Sequence, residues 1–147
     1  MERHQNLSQT KTTSKEYCTS NIRRVDADDL PALFDDFRTR YRFNPRIVER
    51  DYFDWQFFDE NTKHYNALAA WEGDRPVGFI GFRPFAFRIR GQELPAAFPM
   101  QWFSDRKDGT GMHLYSAMAT ESSAQINILS APESQPIFQL MGMTSIS

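Results

Sequence analysis

The chain has a single cysteine, Cys18, among its 147 residues. One thiol excludes an intramolecular disulfide and any zinc cluster built on cysteines, and it fits a reducing compartment. A surplus of either charge is also missing: 17 Lys and Arg stand against 19 Asp and Glu, a net charge of −2 with a sequence pI near 5.9. Sequence-independent nucleic-acid binding leaves a basic footprint that this balance lacks, so no nucleic-acid partner is expected. No apolar run is long enough to span a bilayer, and Met1 to Ser20 has no hydrophobic segment of the secretory kind. No membrane partner and a cytoplasmic location are therefore the expectation.

Hydrophobic residues make up 40% and aromatic residues 14% of the chain, which predicts one globular domain with a usable core. The first twenty residues are rich in Gln, Asn, Ser, Thr and Lys and nearly devoid of aliphatics, so 1–20 reads as a disordered polar tail before a domain over 21–147. Ile22 and Val25 suggest a short strand. Asp28 or Asp29 can cap a helix with Pro31 in its first turn. Leu30, Leu33, Phe34, Phe37 and Tyr41 then follow helical spacing and form one apolar stripe. Asn44-Pro45 signals a second helix start, and the segment after it carries Ile47, Val48, Tyr52, Phe53, Trp55 and Phe57, more rings than one buried face needs.

Residues 65–104 read as an antiparallel meander. Tyr65 to Glu72 is a strand, Gly73-Asp74 a tight turn and Pro76 to Phe82 the next strand. Phe85, Phe87 and Ile89 alternate with Ala86, Arg88 and Arg90, the pattern of a half-buried strand with a basic outer face. After a turn at Gly91-Gln92, the strand from Leu94 to Ser104 contains Pro95 and Pro99, which cannot donate to a ladder and so predict a bulged or edge strand.

The run Arg106-Lys107-Asp108-Gly109-Thr110-Gly111 falls between that strand and a helix expected over Gly111 to Ser122. A basic residue followed by spaced glycines at a strand-to-helix junction presents backbone N–H groups and a helix N-terminus to a phosphate. Asp108 within it should repel an anion unless it points outward or pairs with Lys107 or Arg106. Gln125 to Leu129 reads as a short strand, and Ser134 to Met141 as a short helix ending at Gly142.

This order, with Arg106, Gly109 and Gly111 matching an Arg-x-x-Gly-x-Gly motif and Gly142-Met143 matching a terminal Gly-hydrophobic pair, resembles the GCN5-related N-acetyltransferase superfamily over roughly Ile22 to Met143. The resemblance implies an α/β fold with a mixed, mostly antiparallel, splayed sheet flanked by helices. It implies acetyl-CoA or another acyl-CoA as co-substrate, held by Arg106, Lys107, Gly109, Thr110, Gly111 and Met112, with no metal. The irregular strand would admit the pantetheine arm, and Tyr41 to Pro45 with Tyr52 to Phe58 would shape the site of a small-molecule or sugar amine acceptor. Where the superfamily often places a tyrosine acid, this chain has Phe138; Tyr115 is then the nearest tyrosine, although Met112, Tyr115 and Ala119 form an apolar series. Glu93, Asp105 and Glu133 are candidate bases, and His113 lies on the loop helix. Trp102 and Phe103, in place of an aliphatic residue and proline, can stack on the cofactor or fill the core. The chain stops five residues after Gly142, where the family's sheet continues with two strands. A C-terminally short sheet would leave an open edge for a homodimer or a strand-donating partner, and a catalytically silent acyl-CoA-binding module is the alternative to an enzyme.

Overall fold

A computed structural model describes residues 21–125 together with Pro136, Gln139 and Gly142. The expected tail over 1–20, the strand beyond Gln125, Glu133 and the C-terminal sheet edge lie outside the described residues. Five strands form the main sheet in the order β1-β4-β5-β6-β7: Asn21–Arg24, Ala67–Glu72, Arg75–Ile89, Gln92–Ser104 and Ala124–Gln125. All neighbours are antiparallel except β6 and β7, which run parallel at Ala96 with Ala124 and Ala97 with Gln125. The parallel pair needs a crossover. It is supplied by the loop after Ser104 and α3, Thr110–Ala119.

Both faces of the sheet are covered, so β4 is apolar throughout instead of alternating. Ala67, Ala69 and Trp71 join a core with Phe79 and with α1, Leu30–Arg40, and α2, Arg50–Phe57, while Leu68 and Ala70 join Val77, Ile80, Phe82 and the α3 residues Leu114, Tyr115 and Met118. The first core is aromatic. Phe79 lies between Phe37 at 5.0 Å and Phe57 at 5.9 Å, in mostly edge-on contacts that add about 0.5–1.5 kcal/mol each to burial.

The expected stripe of α1 is buried at Leu30, Leu33, Phe34 and Phe37, with Tyr41 packed beside it. Its start differs from expectation. Asp26 caps a short 3-10 turn, Ala27–Asp29, and Asp29 spends its carboxylate on the Asp26 N–H and on Arg23 instead of capping α1. The second helix is split: Pro45–Val48 is a 3-10 turn, Glu49 is extended, and α2 begins only at Arg50. Asn44 makes no side-chain cap bond. The strand expected from Tyr65 is also interrupted. His64–Tyr65 (β3) pairs with Phe58–Asp59 (β2), and Asn66 donates to the Phe57 carbonyl before β4 starts.

The two strands expected over 76–89 are one. β5 runs through Pro84, because β4 ends beside Gly81 and, among the described residues, no strand pairs with that edge beyond it, where a missing N–H costs little. Phe85 and Ile89 are consequently exposed, at 37% and 49%, and not half-buried as the alternation suggests. Arg90 and Gly91, at φ +48° and +79°, make the hairpin turn. The irregularity predicted by the prolines is present in β6: Ile80 pairs with Trp102 and Phe82 with Pro99, so Met100 and Gln101 together oppose Gly81. Helical Pro136 and Gln139 precede Gly142, whose φ of +76° accompanies an N–H bond to the Gln139 carbonyl, consistent with a helix stop there.

Candidate functional site: the loop before α3 and the pocket beside α1

Ser104 ends β6 by closing a small turn: its hydroxyl accepts from the Arg106 N–H at 3.2 Å and donates to the Arg106 carbonyl at 3.1 Å. The chain then passes through Gly109, at φ +92°, into α3, which starts at Thr110, one residue before the expected Gly111, and ends at Ala119 before Ser122. A side chain on Gly109 would meet no atom within 4 Å, so the backbone there faces open space. Gly111 is enclosed instead, its would-be Cβ 3.2 Å from the Ser104 Cβ, and the Trp102 indole donates to its carbonyl at 3.1 Å. The glycines thus divide two tasks. Gly109 supplies the left-handed turn, and Gly111 lets α3 approach β6.

Charge on the loop is largely satisfied from within. Arg106 donates to Asp108 at 3.0 Å and to Glu72 on β4 at 2.6 Å. Asp108 points inward: its carboxylate accepts from the Thr110 N–H at 3.1 Å and from the Thr110 hydroxyl at 2.5 Å. The Thr110 hydroxyl, the Thr110 amide and Arg106 hold the Asp108 carboxyl at about 2, well below the usual carboxylate range. Its pairing with Arg106 was one of the arrangements foreseen from sequence, but its seat on a helix amide was not. The first intrahelical bond is from the His113 N–H to Gly109 at 3.0 Å, which leaves the Gly111 and Met112 amides as donors without an intrahelical partner. Lys107 is exposed and has no ion-pair partner among the described residues.

A phosphate-bearing cofactor fits this loop in two respects, the open approach over Gly109 and the spare donors of Lys107, Gly111 and Met112. One feature opposes it: Asp108 already occupies the Thr110 amide.

On the other face, α1 and the Pro45–Val48 turn enclose a pocket of about 220 Å³. Phe37, Tyr41, Pro45, Ile47 and Val48 give it apolar walls. Arg38, Arg42 and Asn44 supply the polar positions. The pocket lies where Tyr41 to Pro45 were expected to matter, and it touches the same aromatic core as the bulge residue Met100 and as Phe103. Phe103 fills the core between Phe37 and Tyr41, capped by the Arg40 guanidinium 3.6 Å from its ring centroid, and Trp102 packs on Tyr115 at 5.1 Å; both rings are structural. Arg40 reaches Asp105 at 2.8 Å, tying α1 to the start of the loop. Burial pushes the Tyr41 hydroxyl up to about 12. Of the segment Tyr52 to Phe58, Phe53 and Phe57 are buried core, Tyr52 and Phe58 border it, and Trp55 is 65% exposed with Arg83 over its ring.

The candidate proton-transfer groups are not gathered together. Glu93 sits beside the hairpin turn, exposed and 3.4 Å from Arg88, roughly 35 Å along the strand from Ser104 at about 3.3 Å per residue. Tyr115 is 1% exposed inside the α3 core. Asp105 is engaged by Arg40. What sequence missed is the pair of long-range carboxylates: Glu72 on Arg106 and Asp105 on Arg40 join residues 34 and 65 positions apart, beyond any local pattern.

No family model matches the chain, and no curated protein matches its sequence. Solved structures do match its fold. Aminoglycoside N-acetyltransferase AAC(6')-Iy in complex with CoA superposes at a TM-score of 0.67 and 15% identity, over 86% of this chain and 89% of that one. A predicted acetyltransferase with acetyl-CoA from Clostridium acetobutylicum gives 0.61 and 15%, over 86% and 90%. Glucosamine-6-phosphate N-acetyltransferase from Arabidopsis thaliana gives 0.60 and 13%, over 88% and 94%. With its bulged central strand, its loop before α3 and these superpositions, the chain has the fold of the GCN5-related N-acetyltransferases.

Proposed function

We propose that the protein transfers an acetyl or other acyl group from its CoA thioester to the amine of a small molecule or sugar. The observation that carries this is the loop 106–111, set at the N-terminus of α3 directly after a bulged strand, in a fold shared with acetyltransferases solved with CoA or acetyl-CoA. Arg106, Lys107, Gly109, Thr110, Gly111 and Met112 would hold the pyrophosphate, with Asp108 turning away as it binds. The acceptor amine, in its neutral form, attacks the thioester carbonyl; a C–N bond forms, the C–S bond breaks, the nitrogen gives up a proton and the thiolate gains one.

Glu133, singled out by its nearness in sequence to the strand beside the bulged one, is proposed as the base; Glu93, at the far hairpin end and paired with Arg88, lies too far from the loop for that role. Tyr115 remains a candidate acid only as the tyrosine nearest in sequence to the loop. Its enclosure favours solvent as the proton source, so Tyr115→Phe should keep the wild-type rate. A second reading, a silent acyl-CoA-binding module, is favoured by Asp108 on the Thr110 amide and by Phe138 at the position of the family's tyrosine.

The test is thiol release from acetyl-CoA across a panel of amines, with product masses, run beside thermal unfolding with and without CoA. A raised unfolding temperature follows from ligand binding to the native state alone. Stabilisation with amine-dependent thiol release supports the enzyme; stabilisation without release supports the module; neither result would remove both readings.

A further inference from the structure

We infer that the amine taken by the pocket between α1 and the Pro45–Val48 turn carries an apolar body and an anionic group, the latter held by Arg42. The inference rests on the acyl-transfer reading for the chemistry done to that amine, but binding in the pocket can be measured without it.

Five arginines lie between positions 38 and 50, and four are engaged. Arg38 pairs with Asp35, and Arg40 with Asp36 and Asp105. Arg46 lies 3.6 Å from Glu49 and over the Tyr52 ring, and Arg50 is 2.7 Å from Asp54. Arg42 alone of the five has no ion-pair partner among the described residues, and it lines the pocket. An arginine that the protein leaves unpaired keeps its fork of donors for a carboxylate or phosphate. The Tyr41 hydroxyl, also on the pocket wall, has no hydrogen-bond partner among the described residues and, like any tyrosine at neutral pH, carries its proton. It is a neutral donor beside a cation.

Among the described residues the wall contains no carboxylate. A polycationic acceptor finds no carboxylate among the described lining residues to receive its charges, and Arg42 would repel it. The remaining surface is apolar and aromatic, so it favours a hydrocarbon or aryl body. At about 220 Å³ the space is smaller than a drug-sized site, which suits a small amine or one end of a larger one.

Calorimetry on the full chain, with and without bound CoA, decides between these possibilities using five probes: L-phenylalanine against L-phenylalaninamide, tyramine O-phosphate against tyramine, and spermidine. At least one anionic probe should bind about tenfold more tightly than its neutralised partner, the scale of one charge-assisted hydrogen bond, and whichever pair shows the larger ratio tells whether carboxylate or phosphate is preferred. Arg42→Gln should bring that ratio close to one and Arg42→Lys restore part of it, with CoA affinity unchanged in both. Equal binding within each pair, spermidine as the tightest probe, no binding of either anionic amine, or a preference that survives Arg42→Gln would overturn the inference. Failure of CoA to bind, with the anion preference intact, would instead defeat the acyl-transfer reading and leave the pocket assignment standing.

Discussion

The loop before α3 and the pocket beside α1 treat their cations in opposite ways. On the loop, Arg106 is held between Glu72 and Asp108, and Asp108 also occupies a helix amide. On the pocket rim, Arg42 has no carboxylate partner among the described residues. A ligand arriving at the loop must displace the protein's own anion, whereas a ligand arriving at the pocket meets a donor set already free. The loop is therefore tuned for order in the absence of ligand and the pocket for readiness, and the two should respond differently to substitution.

The largest effect should come from the aromatic core that supports the pocket. Phe79→Ala removes a fully buried ring packed on Phe37, Phe57 and Phe103 and should cost about 3–5 kcal/mol in denaturant unfolding. A loss under 1 kcal/mol would mean that this core is loosely assembled. Gly81→Ala is expected next. Its Cβ would stand 2.2 Å from the Phe57 ring, itself enclosed, beneath the β6 bulge, at a cost of about 1–3 kcal/mol. An unchanged unfolding midpoint would contradict the tight packing under that bulge.

Asp108→Asn addresses the loop directly. Asparagine keeps an acceptor for the Thr110 amide but removes the charge, so CoA should bind several-fold more tightly, since one like charge near the phosphates is gone. Weaker CoA binding in this variant would show that the carboxylate helps to build the site instead of blocking it. The smallest effect concerns alkaline pH. Burial, reinforced by donation to Asp54 at 2.5 Å, raises the Tyr65 hydroxyl from 10.0 to about 12. A raised folded-state value means that the contribution is complete below pH 10 and is lost as pH rises towards 12. Unfolding temperatures should fall over that interval, and less steeply in Tyr65→Phe; equal slopes would remove Tyr65 from the account.

Much of this was legible in the sequence. The helical period of Leu30, Leu33, Phe34, Phe37 and Tyr41 identifies α1 because one face of a helix must be apolar wherever it is buried. Gly73, Gly91 and Gly109 mark turns because each takes a positive φ. Pro95 and Pro99 announced an irregular β6. The second helix was misread because Asn44-Pro45 is compatible with a 3-10 turn as well as with an α-helix start, and extended Glu49 then breaks the run. The exposure of Phe85 and Ile89 was hidden because alternation reports two faces of a strand but not whether another layer covers either of them. Asp108 could be named from sequence as a charge of interest, and Arg42 falls within the Tyr41 to Pro45 segment expected to shape the acceptor site. Their opposite states depend on partners, or the lack of them, that only the fold brings near.

Titration of CoA into the wild-type chain and into Gly111→Val tests the central claim most directly, with unfolding temperature confirming that both are folded. If acyl-CoA is held by the amides at the start of α3, wild type binds and the variant, whose side chain pushes the Ser104 contact apart, loses roughly tenfold to a hundredfold in affinity, the loss of one charge-assisted bond to the phosphates. Equal affinity in the two folded proteins would contradict the placement of the cofactor on this loop.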